Sequence, residues 1–198
     1  MLFGKNLCFK FIIWIMITRA DKKDSKRCIE LLNLAMEDIA FCLSGTTSRA
    51  KSNEILTSFF NQDINRLSYN NIYIYRDNDQ ILGAVCAYFG GDLKSLDEPI
   101  INHLRLKDPS ANVEAECFND EFYIDSIAVD EKFRGRGIAK ELIKFIFEIA
   151  SQRGIKKVSL IVDEEKIKTK EFYEKFGFKE NCIKIINSHK YYHMIKEL

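Results

Sequence analysis

At 198 residues with 46% hydrophobic content, the chain is long enough for one well-filled core, and a single domain is the simplest count. Thirty basic residues against twenty-nine acidic leave a net charge of +1, so no global field points to nucleic acid or to a membrane surface, and any anion site has to be local. Two prolines, nine glycines and no repeat argue against linkers and solenoids, and six scattered cysteines without a CxxC or CxxxC pair supply neither a metal nor a redox motif.

Free thiols in a reducing cytoplasm are therefore expected. His189 and His193 are four apart, but their segment reads as strand, where that spacing does not converge on a metal; no metal is expected. Residues 1–15 contain Lys5 and Lys10 before a short apolar run, FIIWIMI, that superficially resembles a signal sequence. The run is too short to span a bilayer and no small-residue cleavage site follows, so part of 11–19 is read as the first strand of a cytoplasmic protein.

From Ser25 to about Leu43, Cys28, Leu31, Leu32, Leu34, Ala35, Ile39 and Ala40 form one helical stripe, with Lys26, Arg27, Glu30 and Asp38 outside it. Ser44-Gly45-Thr46-Thr47 breaks the pattern, and residues 48–62 carry a second helix through Ala50, Ile55, Leu56, Phe59 and Phe60. Asn71–Tyr75 and Ile81–Phe89 are strand-like runs joined by a polar connection, an antiparallel pair. Residues 92–118 are poorly patterned, with one helix around Pro99–Leu106, and form an excursion in which substrate-specific contacts could lie.

The most informative stretch runs from Phe122 to Ala150 and reads as strand, turn, helix. Residues 122–129 are apolar on both faces, as in a central strand, with Asp125 as the odd member. Ile138, Leu142, Phe145, Ile146 and Ile149 then fall at helical spacing. Between them Arg134-Gly135-Arg136-Gly137 makes a tight, basic bend. The first turn of a helix leaves N–H groups without partners and carries about half a positive charge, so it attracts anions. Two glycines let a phosphate approach the backbone, and two arginines can add charge-assisted bonds. A pyrophosphate is the expected guest.

Lys157–Val162 follows as a short strand, parallel to 122–129 because the crossover contains the helix. Asp163-Glu164-Glu165 reads as the start of a helix through Ile167, Phe172, Tyr173 and Phe176, stopping at Gly177. Phe178–Ile186 and Lys190–Ile195 close the chain as antiparallel strands turning at Asn187-Ser188. The expected architecture is α/β, a mixed and largely antiparallel sheet flanked by helices.

Neither GxxxxGK[ST] nor a GxGxxG fingerprint is present. Arg134-Gly135-Arg136-Gly137-Ile138-Ala139 instead matches [Q/R]-x-x-G-x-[G/A], and with the preceding IAVD and the later FYEKFGF it resembles the GNAT N-acyltransferase superfamily over residues 121–178, more loosely from Met16 onward. The resemblance implies an N-acetyltransferase domain at 16–198, with residues 1–15 as an extension. It also implies the fold of that family, a mostly antiparallel sheet whose one parallel pair splays around acetyl-CoA. The pantetheine arm would pair with backbone of Ile127, Ala128 and Val129, and the pyrophosphate would rest on Gly135, Arg136, Gly137, Ile138 and Ala139 beside Arg134.

Tyr173 matches the tyrosine that protonates the departing thiolate. A phenol near ~10 stays protonated at neutral pH yet is only modestly above a thiol near ~8.5. A lysine-like amine near ~10.4 must lose a proton before it attacks, and Asp125 is the candidate for binding or, through water, deprotonating it. The alternative for Asp125 is a buried structural acid; Glu121 and Tyr123 are weaker candidates, and the glutamate that some relatives carry at about position 123 is absent. Lys166, Lys168 and Lys170 are candidates for the ribose phosphate or a solvated face, and Lys166 and Thr169 stand where relatives commonly have Asn and Ala. The acceptor is a small-molecule or protein amine, drawn against the two N-terminal helices, Leu43–Arg49, the 92–118 excursion and the last strands. The protein is expected as a monomer or as a homodimer through those strands. A CoA-binding regulatory or sensory module with little transferase activity is the alternative function.

Overall fold

The computed structural model describes residues 17–198; the extension and most of the first predicted strand lie outside the described residues. Seven strands form one sheet in the order β1-β2-β3-β4-β5-β7-β6. They are β1 (Ile17–Arg19), β2 (Ile72–Asp77), β3 (Gln80–Phe89), β4 (Glu121–Val129), β5 (Lys157–Asp163), β6 (Lys179–Ile186) and β7 (His189–Glu197). Every neighbouring pair is antiparallel except β4 and β5, as the strand–helix–strand connection requires.

Helices α1 (Ser25–Met36), α2 (Ile39–Ser44), α3 (Arg49–Phe60) and α4 (Leu93–Arg105) bury Cys28, Leu31, Leu32, Leu43, Leu56, Phe60 and Ile100 against one face of the sheet. On the other face α5 (Ile138–Gln152) and α6 (Ile167–Glu174) bury Leu142, Ile143, Ile146 and Tyr173 over Phe122, Ile124, Val158 and Leu160. Two apolar layers thus sandwich the central strands, which explains why β3 and β4 are apolar on both sides.

Three boundaries differ from those the sequence predicts. The first helix is two: Glu37, at φ 48° and ψ −117°, interrupts it, because a side chain in that region cannot continue the helical ladder. The helix in the excursion begins at Leu93, not near Pro99, and tolerates the proline in its interior. The last helix begins at Ile167; Asp163 ends β5, and its Oδ1 takes the N–H of Glu165 in a turn, a local bond that competes with helix. At its far end Gly177 N–H bonds Glu174 O and Phe178 N–H bonds Tyr173 O, a Schellman closure.

Two irregularities set up the site. The β4–β5 pairing covers only Glu121–Tyr123 against Lys157–Ser159, after which the strands diverge. In the β3–β4 ladder Cys86 faces Ser126 and Ala87 faces Ile124, so Asp125 is the extra residue of a β-bulge. Such bulges re-aim a side chain out of the regular alternation.

Candidate active site

The divergence of β4 and β5 opens a cavity of about 330 Å³ lined by Ile124–Ile127 on one side and Leu160–Asp163 on the other. Leu34–Ile39, the segment containing the Glu37 break, covers it, and Glu116, His189 and Tyr191 complete its wall. A second cavity of about 260 Å³ runs along Ile127–Val129, past Arg134 and Ala139. Leu34, Ala35, Ile127, Thr169 and Tyr173 line both cavities. The two spaces therefore adjoin at Tyr173.

The second cavity has the features a nucleotide thioester needs. Beyond Tyr123, β4 is paired only with β3 among the described residues, so the backbone of Ile127, Ala128 and Val129 keeps a free edge that a pantetheine arm can follow as an added strand. At its end Gly135 and Gly137 have φ of 78° and 85°, and Gly137 caps α5 without a side-chain hydrogen bond. A Cβ at either glycine would meet no protein atom within 4 Å, so that space faces outward. The amides at the start of α5, from Ile138 and Ala139, thus have room for a diphosphate. Arg134 Nε reaches Val129 O at 3.4 Å and its guanidinium approaches Glu131 at 3.5 Å, while Arg136 lies over the ring of Phe133. Asp130, bonded to Arg27 of α1 and to the Lys132 amide, ties this loop to the opposite layer.

Asp125 and Tyr173 both line the first cavity. Tyr173 is buried, its pKa is pushed up to about 12 by burial, and its hydroxyl forms no hydrogen bond among the described residues. Asp125 Oδ2 accepts from the Tyr88 hydroxyl at 2.8 Å and lies 3.7 Å from Arg66 Nη1. Burial, then the charge of Glu116, push its carboxyl up to about 6, against the opposing pull of Arg66 and Tyr88.

The weaker alternatives are placed elsewhere. Tyr123 is fully buried and donates to Glu116 Oε2 at 2.6 Å. Glu121 accepts from the Phe118 amide at 2.9 Å and faces His193 Nε2 at 3.1 Å; burial raises its pKa, but these partners win and leave it lowered. Lys166 lies on the first cavity, its Nζ 2.7 Å from Glu37, and Lys170 pairs with Glu180. Helix α3 and residues 44–49 do not line the first cavity; α3 packs against α1 and α2 instead.

Two functional candidates escape a sequence reading. Arg66, fully buried, binds Asp97 through Nε and Nη2 at 2.7 and 3.0 Å and Glu116 Oε1 through Nη1 at 2.7 Å. It thereby fastens the 92–118 excursion to the core and brings Glu116 beside Asp125. No local pattern signals this, because the partners are 31 and 50 residues apart.

Comparison with known proteins agrees with this geometry. The acetyltransferase (GNAT) family profile matches residues 33–178. Among curated relatives, a spermine/spermidine N(1)-acetyltransferase of Bacillus subtilis is 30% identical over 81 residues, 40% of this chain and 52% of that protein. An uncharacterised N-acetyltransferase of Methanocaldococcus jannaschii is 46% identical over 57 residues, 29% of this chain and 25% of the relative, so the matches span a quarter to about half of these relatives' lengths. A solved acetyltransferase structure superposes with a TM-score of 0.73 at 28% identity, covering 91% of this chain and 98% of the other. An N-acetyltransferase of Staphylococcus aureus Mu50, at 21% identity, shares the fold with a TM-score of 0.77 over 91% of this chain and all of its own. With the family profile spanning most of the described chain and the sheet carrying one parallel pair, β4 and β5, among antiparallel neighbours, the chain belongs to the acetyltransferase (GNAT) family.

Proposed function

We propose that the protein is an acetyl-CoA-dependent N-acetyltransferase that passes the acetyl group directly to a primary amine, with Tyr173 as general acid and Asp125 as the group that receives the acceptor. The observation that carries this reading is the meeting of two cavities at one tyrosine: a thioester lying along β4 presents its carbonyl where an amine in the first cavity can reach it.

The protons balance as follows. An ammonium gives one proton to Asp125, directly or through water, and becomes nucleophilic. Its nitrogen bonds the carbonyl carbon, the C–S bond breaks with its electron pair going to sulfur, and Tyr173 O–H protonates the thiolate. The second nitrogen proton is lost as the amide forms and restores the phenol, so one proton leaves for each acetyl transferred. The bulge at Asp125 and the N–H groups of α5 position the two reactants; Arg134 and Arg136 add charge at the diphosphate, whereas Lys166 lines the adjoining first cavity, paired with Glu37, and not this groove.

Purified protein with acetyl-CoA and a panel of amines, followed by CoA release, tests this. Turnover with at least one amine, and its loss in Tyr173→Phe while CoA still binds, is the expected result. CoA binding without turnover for any amine would favour a module that holds CoA and transfers nothing.

A further inference from the structure

The ion cluster beneath the first cavity is short of positive charge. Among the described residues Arg66 is its one cation against Asp97, Glu116 and Asp125, all of whose side chains are at most 8% exposed. Nε, Nη1 and Nη2 are committed to Asp97 and Glu116, so Asp125 receives the Tyr88 hydroxyl and only the distant edge of the guanidinium. One positive charge against three negative is costly in a buried site unless a further cation completes it or a carboxyl holds a proton. The raised pKa of Asp125 expresses that cost. Glu116 and Asp125 are the members that reach the cavity wall, so the completing cation has to arrive there.

A separate observation points to the same place. Ser126, 5% exposed and on the cavity wall beside Asp125, has a buried Oγ without a hydrogen-bond partner. Further out the wall adds Glu37, Asp38 and Asp163 against Lys166 alone, and Lys166 is already spent on Glu37. A carboxylate carried by the acceptor would meet acids at both ends of the cavity. A second ammonium would meet a counter-charge at each.

We infer that the acceptor ammonium is the missing counter-ion of the Arg66 cluster, seated against Asp125, Glu116 and Ser126 Oγ, and that the acceptor is a linear aliphatic diamine or polyamine. The word acceptor rests on the acyl-transfer reading above; the cation site is defined without it. Seating the cation also moves a proton. Asp125 is faced by Arg66, Glu116 and Tyr88, with Asp97, Tyr123 and Cys86 behind them and Tyr173, Tyr191 and His189 across the cavity. Its carboxyl, held at about 6 by burial and by Glu116, is pulled down by an ammonium on its open side. Near pH 6 the O–H bond therefore breaks on binding, the electron pair stays on oxygen and the proton goes to the buffer.

Isothermal titration calorimetry of the full chain, alone and saturated with CoA, tests this with three four-carbon probes: putrescine, butylamine and γ-aminobutyrate. Putrescine is expected to bind about tenfold or more tightly than butylamine, with γ-aminobutyrate weakest. At pH 6, heats in two buffers of different ionisation enthalpy should give release of roughly half a proton for each putrescine bound. Asp125→Asn, checked for folding by circular dichroism, should bind more weakly and release none; Asp38→Asn, at an exposed position, should narrow the gap between putrescine and butylamine. Equal affinity for putrescine and butylamine, tightest binding of γ-aminobutyrate, or no putrescine binding in either state overturns the inference. Failure of the transferase reading looks different: no CoA release with any amine, while putrescine still binds and expels its proton.

Discussion

Arg66 Nη1 donates to Glu116 Oε1 at 2.7 Å across fifty residues of chain, with no solvent access to the arginine. Removing the cation strands three buried carboxylates. Arg66→Gln should therefore cost about 3–5 kcal/mol of stability, read from urea unfolding. A loss below about 1 kcal/mol, the worth of an exposed pair, would show that water reaches the cluster.

Tyr173→Phe keeps the aromatic packing on Phe172 and Phe178 and removes only the hydroxyl. CoA affinity should be unchanged and kcat should fall by about a hundredfold to ten-thousandfold, the usual range for losing one positioned proton donor. Steady-state kinetics beside a CoA titration separates the two quantities, and an unaltered kcat would remove the acid role.

Activity should rise with pH through about 6, because Asp125 accepts a proton only as the carboxylate and its pKa is raised by burial. Below that value the carboxyl is protonated and kcat/KM declines. The limb should vanish from the pH profile of Asp125→Asn, and its survival in that variant would assign it to another group.

Gly137 caps α5 at φ 85°, and a Cβ there touches nothing in the protein. Gly137→Ala should consequently lose only about 1–2 kcal/mol, from backbone strain. Its CoA affinity should fall by about tenfold, as the methyl group keeps the diphosphate from one amide. Thermal unfolding and a CoA titration together check both halves.

Much of the molecule is legible in the sequence where the signal is local. The glycines of the bend, the stripe of α5 and the two apolar faces of β4 place the expected thioester groove, and FYEKFGF places Tyr173. The rest depends on partners distant in sequence or on backbone angles no residue type announces. Glu37 adopts a positive φ without being glycine, and that break turns Leu34–Ile39 into the cover of the cavity. Glu116 lies in a segment with neither period, and among the described residues Arg66 and Tyr123 hold it in place.

The supernumerary Asp125 also resets the phase of its strand. Before it the even-numbered Phe122 and Ile124 lie toward α5, and Tyr123 toward α1; after it the odd-numbered Ile127 and Val129 take the α5 side, and Ala128 the other. Excising this one residue would leave Ile124 and Ser126 to alternate as in a regular ladder, so both faces would be kept. A deletion would thus remove the re-aimed acid without inverting either apolar layer.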